Sequence, residues 1–360
     1  MNPGYEYIDQ SIAARVSDLS DLGKLREYLV SKGLIGDEEL LVEQFPGGYS
    51  NLTFLLKLGD REFVLRKPPF GANIKSAHDM GREFKVLSVL KPVFPSVPEA
   101  VVYCDDDQMI GTPFYIMERV RGVILRNRLP KGLAINTEIM RSISESAIDK
   151  LALLHTIDIQ ATGLINLGKP EGYVQRQVEG WVKRYFNAET DQVPAMNETA
   201  EWLAGNMPVD NPAAFIHNDY KYDNLVLDPG KLSNIIAVLD WEMATVGDPL
   251  MDFGTSLAYW AEAGDSDALK PFNLTWMDGN LSREEVLNRY ALLTGKDVSH
   301  FLFYYVFGSF KIAVIVQQIY SRYKKGFTND PRFATLGYVV RACAENAKKA
   351  IKYKRISNFY

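Results

Sequence analysis

Apolar positions change period along the chain. From about Leu41 to Met117, four segments rich in β-branched and aromatic residues, "LLVEQF", "NLTFLLKL", "EFVLRK" and "TPFYIMERV", read as strands. The punctuation "PGG", "GD" and "PPFG" supplies turns between them. Within this region, "SAHDMGREFKVLSVLK" switches to helical spacing, with Met80, Phe84, Leu87 and Leu90 on one face. Ser76 stands three residues before Asp79, the spacing of a capping box. The pattern predicts a small antiparallel sheet carrying one helix. After "RVRG" at 119–122 it becomes mainly helical, interrupted by one strand pair: "NLVLD", a turn "PGKLS", then "NIIAVLDW". The fold class is therefore α+β in two lobes, residues 1–118 and 119–360, with no internal repeat.

Length and composition agree with this division. A chain of 360 residues, 47% hydrophobic and 24% charged, is long and apolar enough for each lobe to bury its own core. Forty basic against forty-five acidic side chains give a net charge of −5, and no basic stripe carries interleaved aromatics, which argues against a nucleic-acid partner. Cys104 and Cys343 are the only cysteines, which excludes a disulfide framework and a cysteine zinc site and suggests the cytoplasm. The opening "MNPGYEYIDQ" lacks a basic segment followed by an apolar one, so no secretory signal is expected. The stretch "FLFYYVFGSFKIAVIVQQIY", 301–320, resembles a membrane span, but Lys311 at its middle and Gln317 and Gln318 beyond it favour a helix buried in a large lobe.

Chemistry concentrates around the second strand pair. "HNDYKYDNLVLD", 217–228, enters it and "LDWEMATVGDP", 239–249, leaves it. Asn224 follows Asp219 by five positions, the interval of the kinase catalytic loop. Asp240 follows Asn224 by sixteen, enough for a strand, a turn and a returning strand, so a hairpin brings Asn224 and Asp240 within reach of one ion. The tripeptide Asp252-Phe253-Gly254 spells the magnesium motif of protein kinases, yet it lies twenty-eight residues past Asn224, at the start of the next helix. Asp252 is expected instead to bond the catalytic-loop backbone. Four histidines in the whole chain argue against a histidine metal site, and His217 reads as a structural residue of the loop.

These segments resemble the aminoglycoside phosphotransferase family, the branch of the protein-kinase-like fold that includes choline and homoserine kinases. The likeness covers about residues 40–260, where "HNDYKYDNLVLD" and "VLDWEMATVGDPLMD" follow the patterns H-G-D-x-x-x-x-N and I-D-W/F-E-x-A-x-x-G-D-P-x-x-D. "GGYSNLTFLL", "EFVLRKPP", "REFKVLSVL" and "FYIMERVRG" then correspond to nucleotide loop, third strand, helix C and hinge. Asn218 stands where the family usually has glycine, which restricts the loop backbone but leaves every acid in place.

The resemblance implies transfer of the γ-phosphoryl group of ATP, or alternatively GTP, to a hydroxyl of a small-molecule acceptor with Mg²⁺. Asp219 would orient the acceptor hydroxyl and accept its proton; Asn224 and Asp240 would hold the ion through oxygen. Gly47, Gly48, Ser50 and Asn51 would form the nucleotide loop, although "PGGYSN" lacks the full G-x-G-x-x-G. Arg66 would replace the usual lysine of the third strand, with Val64 under the adenine. Lys67 is its rival, or else a solvent-facing charge beside Pro68. Glu83 would pair with Arg66 rather than stand exposed on its helix, and the backbone of Met117, Glu118 and Val120 would form the hinge.

Segment 165–205 and the helices after 255 are expected to face the acceptor. Between 169 and 201, Glu171, Glu179, Glu189, Asp191, Glu198 and Glu201 face Lys169, Arg176, Lys183 and Arg184, which is not the carboxylate wall a polycationic aminoglycoside needs. Trp181, Tyr185, Trp202, Tyr259, Trp260 and Trp276 would line a pocket for an apolar hydroxylated acceptor or serve as core. The chain also resembles kinase-like domains fused to or beside acyl-CoA dehydrogenases, which by analogy suggests a hydroxy-acyl acceptor. The basic end "KKAIKYKR" would draw a phosphorylated or CoA-bearing acceptor or is a solvated helix terminus. A nucleotide-binding pseudokinase acting as an interaction module is the rival reading, and it predicts loss of Asp219, Asn224 or Asp240, all of which are present. An aminoglycoside- or choline-type kinase is the second alternative. Rossmann binding fails for want of G-x-G-x-x-G between a strand and a helix. The residues set no oligomeric state.

Overall fold

The computed structural model describes residues 7–13, 19, 21–45, 51–69 and 79–359. It divides into two units: Met1–Val123 with Val226–Gly230 and Ile236–Met243, and Ile124–Leu225 with Lys231–Ile235 and Ala244–Tyr360.

The first unit is built on an antiparallel sheet of β1 (Ile12–Ala13), β2 (Leu40–Gln44), β3 (Leu52–Leu58), β4 (Arg61–Lys67), β5 (Ala100–Cys104) and β6 (Phe114–Glu118), in the order β1-β2-β3-β4-β6-β5. Alternation along β4 decides which side chain meets which layer. Leu65 is opposite Phe54 and Ile116, and these enter an apolar cluster with Leu25 and Leu29 of α1 (Leu22–Ser31). Arg66 is opposite Tyr115. On that face lies α2 (Met80–Leu90), whose Phe84 meets the Tyr115 ring edge-on at 6.4 Å.

Four elements correct the one-helix, four-strand reading. Helix α1 and the short α3 (Asp107–Ile110) both lie in this unit, and β1 and β5 extend the sheet. The cap of α2 is also different: the Asp79 carboxylate accepts from the Arg82 N–H at 2.9 Å, so Asp79 is itself the N-cap. Ser76 lies outside the described residues.

The strand pair is β8 (Leu225–Asp228) and β9 (Lys231–Val238), joined by Pro229 and Gly230 alone, so Lys231–Ser233 belong to the strand and not to the turn. The Asp228 carboxylate accepts from the Gly230 N–H at 2.8 Å and closes that turn. Val123 and Leu227 exchange backbone bonds of 2.9 and 2.8 Å, and the Val238 N–H reaches the Ser96 carbonyl at 2.9 Å. Gly122 is required there, because a Cβ would lie 2.5 Å from the Leu227 carbonyl oxygen. These bonds draw Val226–Gly230 and Ile236–Met243 into the first unit, which a single cut at 118/119 does not describe.

The second unit contains α4 (Thr137–His155), α5 (Tyr173–Ala188), α6 (Pro194–Gly205), β7 (Ala214–Ile216), β10 (Thr245–Gly247), α7 (Pro249–Tyr259), α8 (Arg283–Thr294), α9 (Phe301–Lys324) and α10 (Leu336–Tyr353). Helix α9 packs on α5, α6, α7 and α10. Among the described residues it is the one helix long and apolar enough to cross a membrane, and 78% of its most apolar stretch is buried within the protein. Helices α7 and α9 meet backbone to backbone: a Cβ on Gly308 would lie 2.3 Å from the Gly254 carbonyl oxygen. That approach brings Asp252 and Lys311, one on each helix, beneath the loop that follows β7.

Candidate active site

β7 pairs antiparallel with β10 and releases the chain at His217. The next peptide groups are held by one carboxylate. Asp252 accepts from the His217 N–H at 2.7 Å and the Asn218 N–H at 2.8 Å, while its Oδ2 lies 3.1 Å from His155 Nε2. Burial alone would raise Asp252, but the His155 hydrogen bond and charge, with His217, hold it below the usual carboxylate range. Each member of the Asp-Phe-Gly tripeptide has a packing role. Asp252 brackets the loop, Phe253 stacks on Tyr290 with ring centroids 3.9 Å apart, and Gly254 admits α9.

Beyond this bracket the chain turns through Asn218, whose φ is +68°. Asparagine tolerates this left-handed region better than most residues, though less freely than glycine. The Asn218 carbonyl accepts from Lys311 Nζ at 2.9 Å, and its side-chain amide lies 3.3 Å from the Tyr173 hydroxyl. Asp219 then meets Lys221, with Nζ 2.9 Å from Oδ2 and 3.1 Å from Oδ1. Burial works against the Lys221 ammonium, but Asp219 outweighs it and raises the group. Asn224 Nδ2 donates to the Asp219 carbonyl at 2.8 Å and to its Oδ2 at 3.1 Å, which turns the Asn224 amide oxygen away from that pair. His217 is fully buried and its Nδ1 is 3.2 Å from the Asp219 N–H, the contact of a structural loop residue.

In the first unit Arg66 gathers the acids. Its guanidinium lies 2.6 Å from Glu83, 2.8 Å from Asp240 and 3.8 Å from Glu242. Burial lowers Arg66, but Glu83 and the other acids more than compensate and hold it charged. Asn51 Nδ2 donates to Glu242 at 2.6 Å, and Arg82 reaches the Glu242 carbonyl at 3.3 Å. Asp240 has φ +68°; beside it Trp241 is anchored by its Nε1 on the Val238 carbonyl at 2.9 Å and edge-on to Phe94. Lys67 is not solvent-facing: it is fully buried on the other face of β4, donating to the Ile110 carbonyl at 3.0 Å. Gly47, Gly48 and Ser50 lie outside the described residues. Of the residues expected to form the hinge, Met117 lies between β4 and β5, and the Glu118 N–H is spent on Glu99 at 2.9 Å.

Sequence reasoning missed Glu242, Lys221, Tyr173 and the contact of Lys311. The first two stand two positions after Asp240 and Asp219, a signal that was legible; the others come from distant helices. The aromatic set is largely core: Tyr185, Trp181, Tyr259 and Trp260 are buried, and the Trp260 indole bonds the Leu281 carbonyl at 2.8 Å. Tyr259 lies under Lys221, whose Nζ is 4.9 Å from the ring centroid.

Residues 41–285 match the phosphotransferase enzyme family. The chain is 34% identical over 331 residues to human acyl-CoA dehydrogenase family member 11, covering 91% of this chain and 42% of that protein. It spans less than half the length of the curated relatives named for acyl-CoA dehydrogenases. A solved structure described as a candidate aminoglycoside phosphotransferase of Ralstonia eutropha superposes with a TM-score of 0.77 at 31% identity, over 91% of this chain and 98% of that one. Choline kinase of Cryptosporidium parvum gives a TM-score of 0.65 at 13% identity over 93% and 98%, a likeness of fold. The kinase-like fold expected from the sequence is the fold of this chain.

Proposed function

The chain belongs to the phosphotransferase enzyme family, and from that premise we propose that it transfers the γ-phosphoryl group of ATP to a hydroxyl of a small-molecule acceptor. The observation that carries this reading is the loop geometry around Asp219. Asp219 is partly exposed, fixed through its backbone and carboxylate by Asn224, and flanked by Lys221. A hydroxyl placed against this carboxylate gives up its proton to Asp219 as its oxygen bonds phosphorus, and the bond to the bridging oxygen breaks to release ADP. Lys221 and Arg66 supply fixed positive charge in their respective units, where charge on phosphate oxygens builds.

The residues that would hold Mg²⁺ suit it by type: in the second unit the Asn224 amide oxygen points away from Asp219, and in the first the Asp240 carboxylate is 33% exposed, each a hard oxygen ligand. Among the described residues no cluster of three His, Cys, Asp or Glu could hold a metal by itself, which suits an ion that retains waters and phosphate oxygens. When bound, such an ion neutralises charge on the transferred group.

For the acceptor we favour a hydroxy-acyl compound over an aminoglycoside. Lys221 stands against Asp219, a cation where an aminoglycoside would need acids, and the curated relatives are named for acyl-CoA dehydrogenases. We place the reaction in the cytoplasm, in keeping with two free, buried cysteines. The test is a melting curve with and without saturating MgATP, followed by ADP release across a library of hydroxylated compounds. An increase in Tm with MgATP and ADP release that depends on a hydroxy-acyl compound are expected. No shift with either ATP or GTP would overturn the nucleotide assignment, and binding without transfer to any acceptor would favour the pseudokinase.

A further inference from the structure

The middle of α9 holds a cation in an unlikely place. Lys311 is 2% exposed, with Phe310 and Ile312 buried beside it, and its ammonium lies 5.8 Å from the centre of the Trp181 ring. A methionine or leucine would fill such a position without desolvating a charge. Burial drags Lys311 down to about 8; Asp252 and then Asp219 pull it upward, and Lys221 and Arg184 push it down further. This cost has one polar return, the bonds from Nζ to the Asn218 carbonyl at 2.9 Å and to its side-chain oxygen at 3.4 Å.

Asn218 is also where backbone strain sits, immediately before Asp219. Its N–H is fixed by Asp252 from α7 and its carbonyl by Lys311 from α9, the two helices that touch at Gly254 and Gly308. The two peptide units that flank the Asn218 Cα are thus each gripped, by opposite charges on adjoining helices. We propose that Lys311 is a positioning residue of the catalytic loop: it holds the Asn218 carbonyl, keeps that residue left-handed, and thereby aims Asp219 at the acceptor. The clamp follows from the geometry; its effect on turnover rests on the phosphotransferase reading.

Amide hydrogen exchange tests the clamp without nucleotide or acceptor. Lys311→Met, close in volume, should speed exchange at the Asn218 and Asp219 amides by about tenfold or more, the weight of one charge-assisted hydrogen bond. Asn218→Gly adopts the left-handed conformation at no steric cost, so in that background Lys311→Met, which then loses the carbonyl bond but has no strain to hold, should speed exchange by clearly less than it does with Asn218 in place. A structural role in helix packing would give equal losses in both backgrounds and would overturn the proposal, as would unchanged exchange in Lys311→Met. Should Lys311→Met alone fail to fold, recovery of soluble protein in the double variant is the expected result, and failure there too counts against the clamp. On activity, ADP release from MgATP should fall about tenfold in kcat while KM for MgATP stays within about twofold. Absence of nucleotide binding by the wild type would remove the kinase reading, while the exchange result would still decide the role of Lys311.

Discussion

Replacing Asp252 by asparagine tests which carboxylate serves the ion and which serves the fold. Asp252 receives three donors: the His217 N–H and His155 on Oδ2, and the Asn218 N–H on Oδ1. An asparagine has one acceptor oxygen and one amino group. With the oxygen placed toward His217 and His155, the amino group faces the Asn218 N–H, donor against donor, in a fully buried site. The orphaned donor costs about 1–3 kcal/mol, and two bonds revert from charge-assisted to neutral at about 1 kcal/mol each, a total of about 3–5 kcal/mol. At about 2–4 °C per kcal/mol, calorimetry of the apo protein at pH 7 should show a Tm lower by about 6–20 °C. The pH dependence has a defined sign. Because Asp252 lies below the ordinary carboxylate range, its contribution is complete above about pH 4 and is lost as pH falls through the lower folded value. The gap between wild type and Asp252→Asn should therefore narrow only at the acid end. An apo Tm within about a degree of wild type, coupled with loss of magnesium-dependent stabilisation by ATP, would refute the reasoning and make the tripeptide a metal site.

Asp240→Ala should do the opposite, abolishing the magnesium-dependent part of the ATP-induced Tm shift while leaving the apo chain folded, since Asp240 is partly exposed and Arg66 keeps Glu83 and Glu242 as partners. Asp219→Asn should lower kcat by about 10²–10⁴ fold with nucleotide affinity nearly intact, because a base touching only the acceptor acts in the transition state; transfer at the wild-type rate would remove Asp219 from that role. Glu83→Gln should weaken MgATP binding and lower Tm, because it withdraws the 2.6 Å counter-charge from a buried arginine, and equilibrium titration with unchanged affinity would show that Glu83 does not orient Arg66 toward nucleotide.

The parts of the site legible in the sequence are those whose residues lie close together along it. Asp219 and Asn224 are spaced by one loop, so counting pointed to their contact, and the position of Asp252 at a helix start sufficed to predict that it bonds the loop backbone. The Arg66–Glu83 pair was legible because strand alternation and helix spacing limit which side chains can meet. Lys311 was visible only as an interruption of an apolar helix. Its partner lies 93 residues away, and the contact depends on Gly254 and Gly308 allowing two helix backbones to touch. Asn51 and Glu242 are 191 residues apart and carried no pairing signal. In the fold, β5 was lost because "AVVYC" is short and half-buried, without the strict alternation of a one-faced strand.

Two candidate site positions share a left-handed backbone. Among the described residues four that are not glycine have positive φ: Lys354 and Asn358 near the end of the chain, Asn218 next to Asp219 in the second unit, and Asp240 in the first. A glycine would adopt this conformation without strain. Here each position is occupied by a side chain that costs something to hold and is gripped by a buried cation from another element, Arg66 on the Asp240 carboxylate and Lys311 on the Asn218 carbonyl. Strain and desolvation at these sites are offset by charge-assisted bonds, and the return is a backbone with one conformation rather than several. On the proposed reading, in which Asp219 is aimed at the acceptor and Asp240 holds an ion, such rigidity is worth more than the lower strain of glycine.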